Sequence, residues 1–230
     1  MSSEKANPKG VVRTVYLVRH GENPANLTKE MSCRKVDYSL TPKGRMQAEQ
    51  TGYYFRNINI AGIYASPLKR ARETAEIVAA INGLQIRIAE NFRELDVGHL
   101  EEMGNDPQAW QIHFEVIRDW MNGKRETCFP GGKNYFMARQ RLREGIETAL
   151  DCSPVGEIVV VGHGGIFSTG LLDLCPGTDR EILRRTEYHN CAISEIALQK
   201  VDGRWLGELV RWADATHLSG EAAELVSGLP

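Results

Sequence analysis

The segment "VYLVRHGENPAN", Val15 to Asn26, sets an arginine and a histidine side by side where a short apolar run ends. Val15 to Val18 carry the signature of a buried strand, so Arg19 and His20 stand at its carboxyl end, with a glycine behind them. A cation beside an imidazole at the rim of a core is costly unless something anionic meets it. A second histidine arrives by the same route. "EIVVVGHGG" is the clearest buried strand in the chain, and His163 follows its last residue, Gly162. In an open parallel sheet, ligands meet the carboxyl ends of the strands. Gly164 and Gly165 would let backbone N–H groups approach such a ligand at a helix start. Either histidine alone reads more readily as a satisfied turn residue; the pair reads as a site.

A third clue lies in "SPLKRARETAEIVAAI". Ser66 reads as a helix cap with Pro67 as the first helical residue, which puts Arg70 in the first turn, where the helix dipole disfavours cations. Lys69 and Arg72 beside it read as solvated. A guanidinium over a bound phosphate is stabilised there, because its fork matches phosphate oxygens in pairs. Arg19 and Arg70 together point to a phosphoryl group.

The elements that must position these residues follow the same signals. The opening strand leads through a loop to Leu40, then to a helix over "TPKGRMQAEQTGYYFRNI" with Thr41 as cap and Pro42 first in the helix. "AGIYA" (61–65) reads as a strand, the Arg70 helix runs to about Ile81, and "LQIRIAE" is a further strand candidate. Helices are expected over 107–121, from about Asn134 to Leu150, and from about Ile166 to Leu174. "CAISEIALQ" and "GRWLGELVR" alternate as two strands with a turn at Asp202-Gly203. Strands alternating with helices imply an α/β three-layer sandwich, a mostly parallel central sheet with helices on both faces. We expect one domain over 1–230, with a polar tail at 1–12 and a loosely held stretch from about Ala213, over 213–230.

Composition bounds the partners. Of 230 residues, 42% are hydrophobic and 25% charged, ordinary values for a globular chain. With 28 basic against 30 acidic residues the net charge is -2, so no global nucleic-acid field exists and anion affinity must be built locally. No apolar run approaches the roughly 18 residues of a membrane span, and "MSSEKANPKG" lacks a signal-peptide core. Five cysteines, an odd count without a CxxC pair, fit a reducing, cytoplasmic setting. His99, His113, His189 and His217 show no metal-ligand spacing, so neither metal nor cofactor is expected. The expected partner is a small phosphate ester, not nucleic acid or membrane, and a homodimer is left open.

"VRHGE" followed by Asn26, then "LTPKGRMQA", "SPLKRARETA" and "GHGG" resemble the histidine phosphatase superfamily, the phosphoglycerate-mutase-like proteins, over about Val15 to Leu198. The tripeptide RHG is weak by itself; four motifs in the family's order are not. The resemblance implies that His20 is the nucleophile. It implies that Arg19, Arg70 and His163 hold the phosphate oxygens, with Asn26 as a further contact; Gly164 is expected beside the substrate from the backbone reading above. It places the proton donor at Glu94 in "NFRELDVGHLEE", and a phosphate ester needs such a donor because an alkoxide leaves poorly. Asp96, Glu101 and Glu102 are nearby competitors.

This chain departs from the family pattern at Glu101-Glu102, where many members have Glu-Gly, and at "PGGKN", where many phosphatases read Pro-Gly-Gly-Glu-Ser. Lys133 and Asn134 thus bear on substrate choice: Lys133 either reads a second anionic group or is solvated. The loop from Leu27 to Ser39 lacks the text of the glycolytic mutases. The expected activity is that of a metal-independent phosphomonoesterase acting through a phosphohistidine. The alternatives are a phosphoglycerate mutase and a non-catalytic phosphate-binding module.

Overall fold

The computed structural model describes residues 11–226. Six strands form one sheet in the order β3-β2-β4-β1-β5-β6. They are β1 (Arg13–Arg19), β2 (Ile60–Ala65), β3 (Ile86–Ile88), β4 (Glu157–Gly162), β5 (Ile193–Val201) and β6 (Arg204–Asp214). The β1–β4, β2–β4 and β2–β3 pairs are parallel; β5 runs antiparallel to both β1 and β6. The sheet is therefore mostly parallel, as expected, and its antiparallel edge is the hairpin at Asp202-Gly203. Both turn residues have positive φ (48° and 80°), the backbone of a tight two-residue hairpin turn.

Alternate residues of the central strands face two cores. Val15 and Leu17 of β1 and Ile158 and Val160 of β4 pack on one side with α5 (Tyr135–Cys152) and α6 (Gly164–Leu174). Tyr16, Val18, Val159 and Val161 pack on the other with α2 (Pro42–Phe55) and α3 (Lys69–Asn82). Strands buried on both faces must be apolar throughout, which is why "VYLV" and "IVVV" do not alternate. The three layers follow.

Several boundaries differ from the sequence expectation. The segment after β1 is not all loop: α1 (Pro24–Thr28) forms because Asn23 and Asn26 cap each other in a capping box ahead of Pro24. Ser66 does not cap α3; the cap position falls to Leu68, and Ser66 is occupied elsewhere. Helix α4 (Pro107–Met121) lies where expected, capped by Asp106, whereas α7 (Arg180–Arg185), capped by Asp179, is not among the expected helices. The stretch from Ala213, expected to be loose, is tied to α2. Gln47 Nε2 donates to Ala222 O, Lys43 Nζ to Glu224 O, and Gln50 exchanges bonds with Ser219. Residues 227–230 of that stretch, and 1–10 of the N-terminal tail, lie outside the described residues. No helix among the described residues is long and apolar enough to cross a membrane.

Candidate active site

The β1 and β4 ladders bring the two histidines to one place. Arg19 pairs with Gly162, and the next residue, His20, continues the ladder by donating its N–H to Gly162 O. The His20 and His163 rings lie with centroids 5.1 Å apart, both buried. Strand β2, on the other side of β4, leads through Ser66 into α3, whose first turn delivers Arg70.

Arg70 is the centre of the cluster. Its Nε donates to His20 Nε2 at 3.1 Å, and its Nη2 lies 3.2 Å from His163 Nδ1. A guanidinium only donates, so both ring nitrogens must accept. The remaining nitrogens then carry the protons: His20 Nδ1–H donates to Gly21 O at 2.8 Å, and His163 Nε2–H donates to Ser66 Oγ at 2.8 Å. The pattern fixes His20 in the tautomer whose Nε2 lone pair points into the pocket. Burial, then Arg70 and Arg19, pull the His20 pKa well below the ordinary imidazole value. Burial and Arg70 do the same to His163. Both rings are therefore neutral at pH 7.

Arg19 and Arg70 themselves are buried, and burial lowers the pKa of each guanidinium from its usual value. Arg19 donates through Nη1 to Tyr188 O, and Arg70 uses Ser32 Oγ and Ser32 O. Neither makes a carboxylate ion pair among the described residues. Two buried cations with no carboxylate in direct contact, and Glu94 the acidic group acting on both, make a site suited to an anion. Asn26 belongs to the same wall: its Oδ1 accepts from Asn190 Nδ2 at 3.1 Å, and Asn190 also donates to His20 O.

Two expectations need correction. Gly165 N–H does not face a ligand; together with Ile166 N–H it donates to Glu94, at 3.1 and 2.7 Å. The Glu94 carboxylate thus sits on the N-terminus of α6, beside His163, and also accepts from Leu95 N–H. Ser66, read as a cap, holds His163 instead. Of the rival carboxylates, Asp96 pairs with Arg34 and Glu102 with Lys35, while Glu101 Oε1 is taken up by backbone N–H groups. Glu94, Arg34, Lys133, Asn134 and Arg141 line a cavity of about 200 Å³. Lys133 is exposed at its edge, and Asn134 caps α5 through Met137 N–H.

Sequence reasoning missed Ser32, Thr74, Asn190 and Cys191, which hold the pocket residues, and gave Ser66 a different role. Cys191 adopts a left-handed φ of 57° and donates its N–H to the carbonyls of Arg19 and His20. The run "HNCAIS" carried the only available signal, an Asn before a strand. Among the described residues no three histidine, cysteine or acidic side chains gather as a metal site.

A model of the histidine phosphatase superfamily (branch 1) matches residues 15–214. The chain belongs to the histidine phosphatase superfamily. Among its relatives, a Salmonella choleraesuis protein named "Probable phosphoglycerate mutase GpmB" is 32% identical over 218 residues, 91% of this chain and 97% of that one. The solved structure of Bacillus stearothermophilus YhfR aligns with a TM-score of 0.74 and 25% identity, over 90% of this chain and all of the other. A phosphoserine phosphatase from Entamoeba histolytica aligns over 90% of this chain and 100% of its own, with a TM-score of 0.68 and 22% identity, a likeness of fold. The relative in this comparison carries a mutase name, and the phosphatase is similar in fold.

Proposed function

We propose that this histidine phosphatase superfamily member is a metal-independent phosphomonoesterase that hydrolyses a small phosphorylated metabolite through a phosphohistidine on His20. The observation that carries the reading is the His20 ring: neutral, its Nδ1–H tied to Gly21 O, its Nε2 lone pair under Arg70. When substrate enters, the phosphoryl oxygens meet the N–H groups of Arg19 and of Arg70, whose fork is already held by Ser32. The Nε2 lone pair attacks phosphorus as the P–O ester bond breaks. Gly21 O then faces an Nδ1–H made more acidic by the positive ring, and the hydrogen bond strengthens. The leaving oxygen takes a proton from Glu94. Oε2, with Gly165 N–H as its partner, is the less engaged oxygen and the one to carry that proton. Water then attacks phosphorus, returns a proton to Glu94, and the P–N bond breaks to release phosphate.

A labelled phosphate ester mixed briefly with the protein and quenched in base should leave label on it, because a phosphohistidine is acid-labile and base-stable. His20→Ala should abolish that label. Label surviving the substitution would refute the assignment. The second reading, a phosphoglycerate mutase, is favoured by the name of the GpmB relatives. It requires transfer of the phosphoryl group to a second sugar acid, and activity that depends on a bisphosphoglycerate primer distinguishes it.

A further inference from the structure

Glu101 is 5% exposed and lies in the short turn Gly98–Met103, beneath the chain segment 32–36. One oxygen, Oε1, accepts the backbone N–H groups of Cys33, Arg34, Lys35 and Val36 at 2.7, 2.8, 2.9 and 3.0 Å. Successive N–H groups converging on one anion wrap the chain around it as a nest.

The nest delivers Ser32 to the phosphate pocket. Ser32 Oγ accepts Arg70 Nη1 at 2.9 Å and Ser32 O accepts Nη2 at 2.5 Å. The same hydroxyl donates to Val36 O at 2.6 Å, which locks Ser32 onto the segment that Glu101 gathers. With both terminal nitrogens held, the Arg70 fork has one orientation, and Nε meets His20. A long side chain loses rotamer freedom when it binds, unless its surroundings have already removed that freedom. The polar chain runs from Glu101 through 33–36 to Ser32, then to Arg70 and His20.

We propose that Glu101 is a positioning residue for phosphoryl transfer: by gathering the N–H groups of 33–36 it sets Ser32 as the clamp that aims Arg70 at the phosphate. The inference rests on the phosphate-site reading above. It gives Glu101 no contact with substrate, in contrast to a proton donor.

The test is a double-mutant cycle on inorganic phosphate binding, followed by calorimetry on the full chain. Glu101→Ala should weaken phosphate about tenfold when Arg70 is present and less than about twofold in an Arg70→Ala background, a coupling typical of residues in one network. Glu101→Gln keeps an acceptor oxygen and should recover most of the affinity. Equal losses in both backgrounds would overturn the proposal, as would a lowered melting temperature with unchanged phosphate affinity. Should Glu101→Ala fail to fold, Ser32→Ala carries the same cycle, and additivity with Arg70→Ala overturns the clamp. Wild-type protein that binds no phosphate would overturn the phosphate-site reading itself and this inference with it; intact wild-type binding with additive losses overturns the inference alone.

Discussion

Two neutral imidazoles between two buried guanidiniums leave the pocket's positive charge on Arg19 and Arg70, the complement of a phosphate monoester anion. The charge also sets the pH behaviour of His20, the proposed nucleophile. His20 must be unprotonated to attack, and its lowered pKa keeps it so well into acid. Activity on free enzyme, kcat/KM, is lost as pH falls through that depressed value. Arg70→Met removes a cation that lowers it, so the acid limb should move to higher pH, alongside a loss of at least about 2 kcal/mol in transition-state stabilisation. A pH-rate profile of both proteins checks this; an unmoved limb would mean that Arg70 does not face His20. A second prediction concerns Glu94. An alkyl leaving group needs a proton and a nitrophenol hardly does, so Glu94→Gln should slow an alkyl phosphate far more than nitrophenyl phosphate. Equal losses on the two substrates would mark Glu94 as a cap for α6, which its bonds to Gly165 and Ile166 already make it. The sequence revealed the charged members of this site because charge at a strand end is conspicuous. It hid Ser32, Ser66 and Asn190 because small polar residues outside motifs look alike until the chain brings them together.

At the scale of elements, the pocket depends on how closely α2 approaches the turn after β1. A Cβ on Gly44 would lie 2.1 Å from Glu22 O, and one on Gly21 would lie 2.5 Å from Gly44 O. The helix N-terminus and the "RHG" turn touch backbone to backbone, so the glycine of "TPKG" serves the same contact as the glycine after His20. Further bonds tie them: Gly21 N–H donates to Thr74 Oγ1, and Glu22 N–H to Gln47 Oε1. Gly44→Ala should therefore destabilise the fold by about 1–3 kcal/mol, the range for overpacking a tight site. It should also lower kcat, because the displaced turn carries His20. Urea unfolding and turnover on one preparation test both; a stable, fully active variant would show that the contact yields easily. These elements were readable where a cap, a proline or an apolar run announced them. The failures, Ser66 and the α1 segment, came where side chains had two partners to choose from. Ser66 went to His163, and Asn23 found Asn26 across a single turn.

Across the whole molecule, four histidines share one fate. His20 and His163 stand in the pocket, His113 is stacked on Phe129, and His217 bonds Thr51 on the far side of α2. Burial lowers the pKa of each, to about 4 for His113 and His217. A base depressed in the folded state takes up protons first when unfolded. Stability is thus full above about pH 6.5 and falls as pH drops through the window down to the folded values. His113 and His217 each account for a loss of at most about 3 kcal/mol, since a tenfold change in proton affinity is worth about 1.4 kcal/mol. Urea unfolding between pH 7 and 4 should show the decline, and His217→Gln should make it shallower. A flat profile would mean that these rings are solvated in the native state.

The order of the sheet has a consequence for how the chain comes together. Strand β1 begins at residue 13, yet its neighbours are β4, from 157, and β5, from 193. A ribosome that has made the first half of the protein has made His20, both buried guanidiniums and Glu94, but neither partner for the strand that leads to His20. Until the later strands emerge, "VYLV" has two unpaired edges and two uncovered faces, the kind of segment that slow, non-local folding leaves exposed to aggregation. The pocket is therefore completed late in synthesis, when β4 is inserted between β1 and β2 and brings His163 with it.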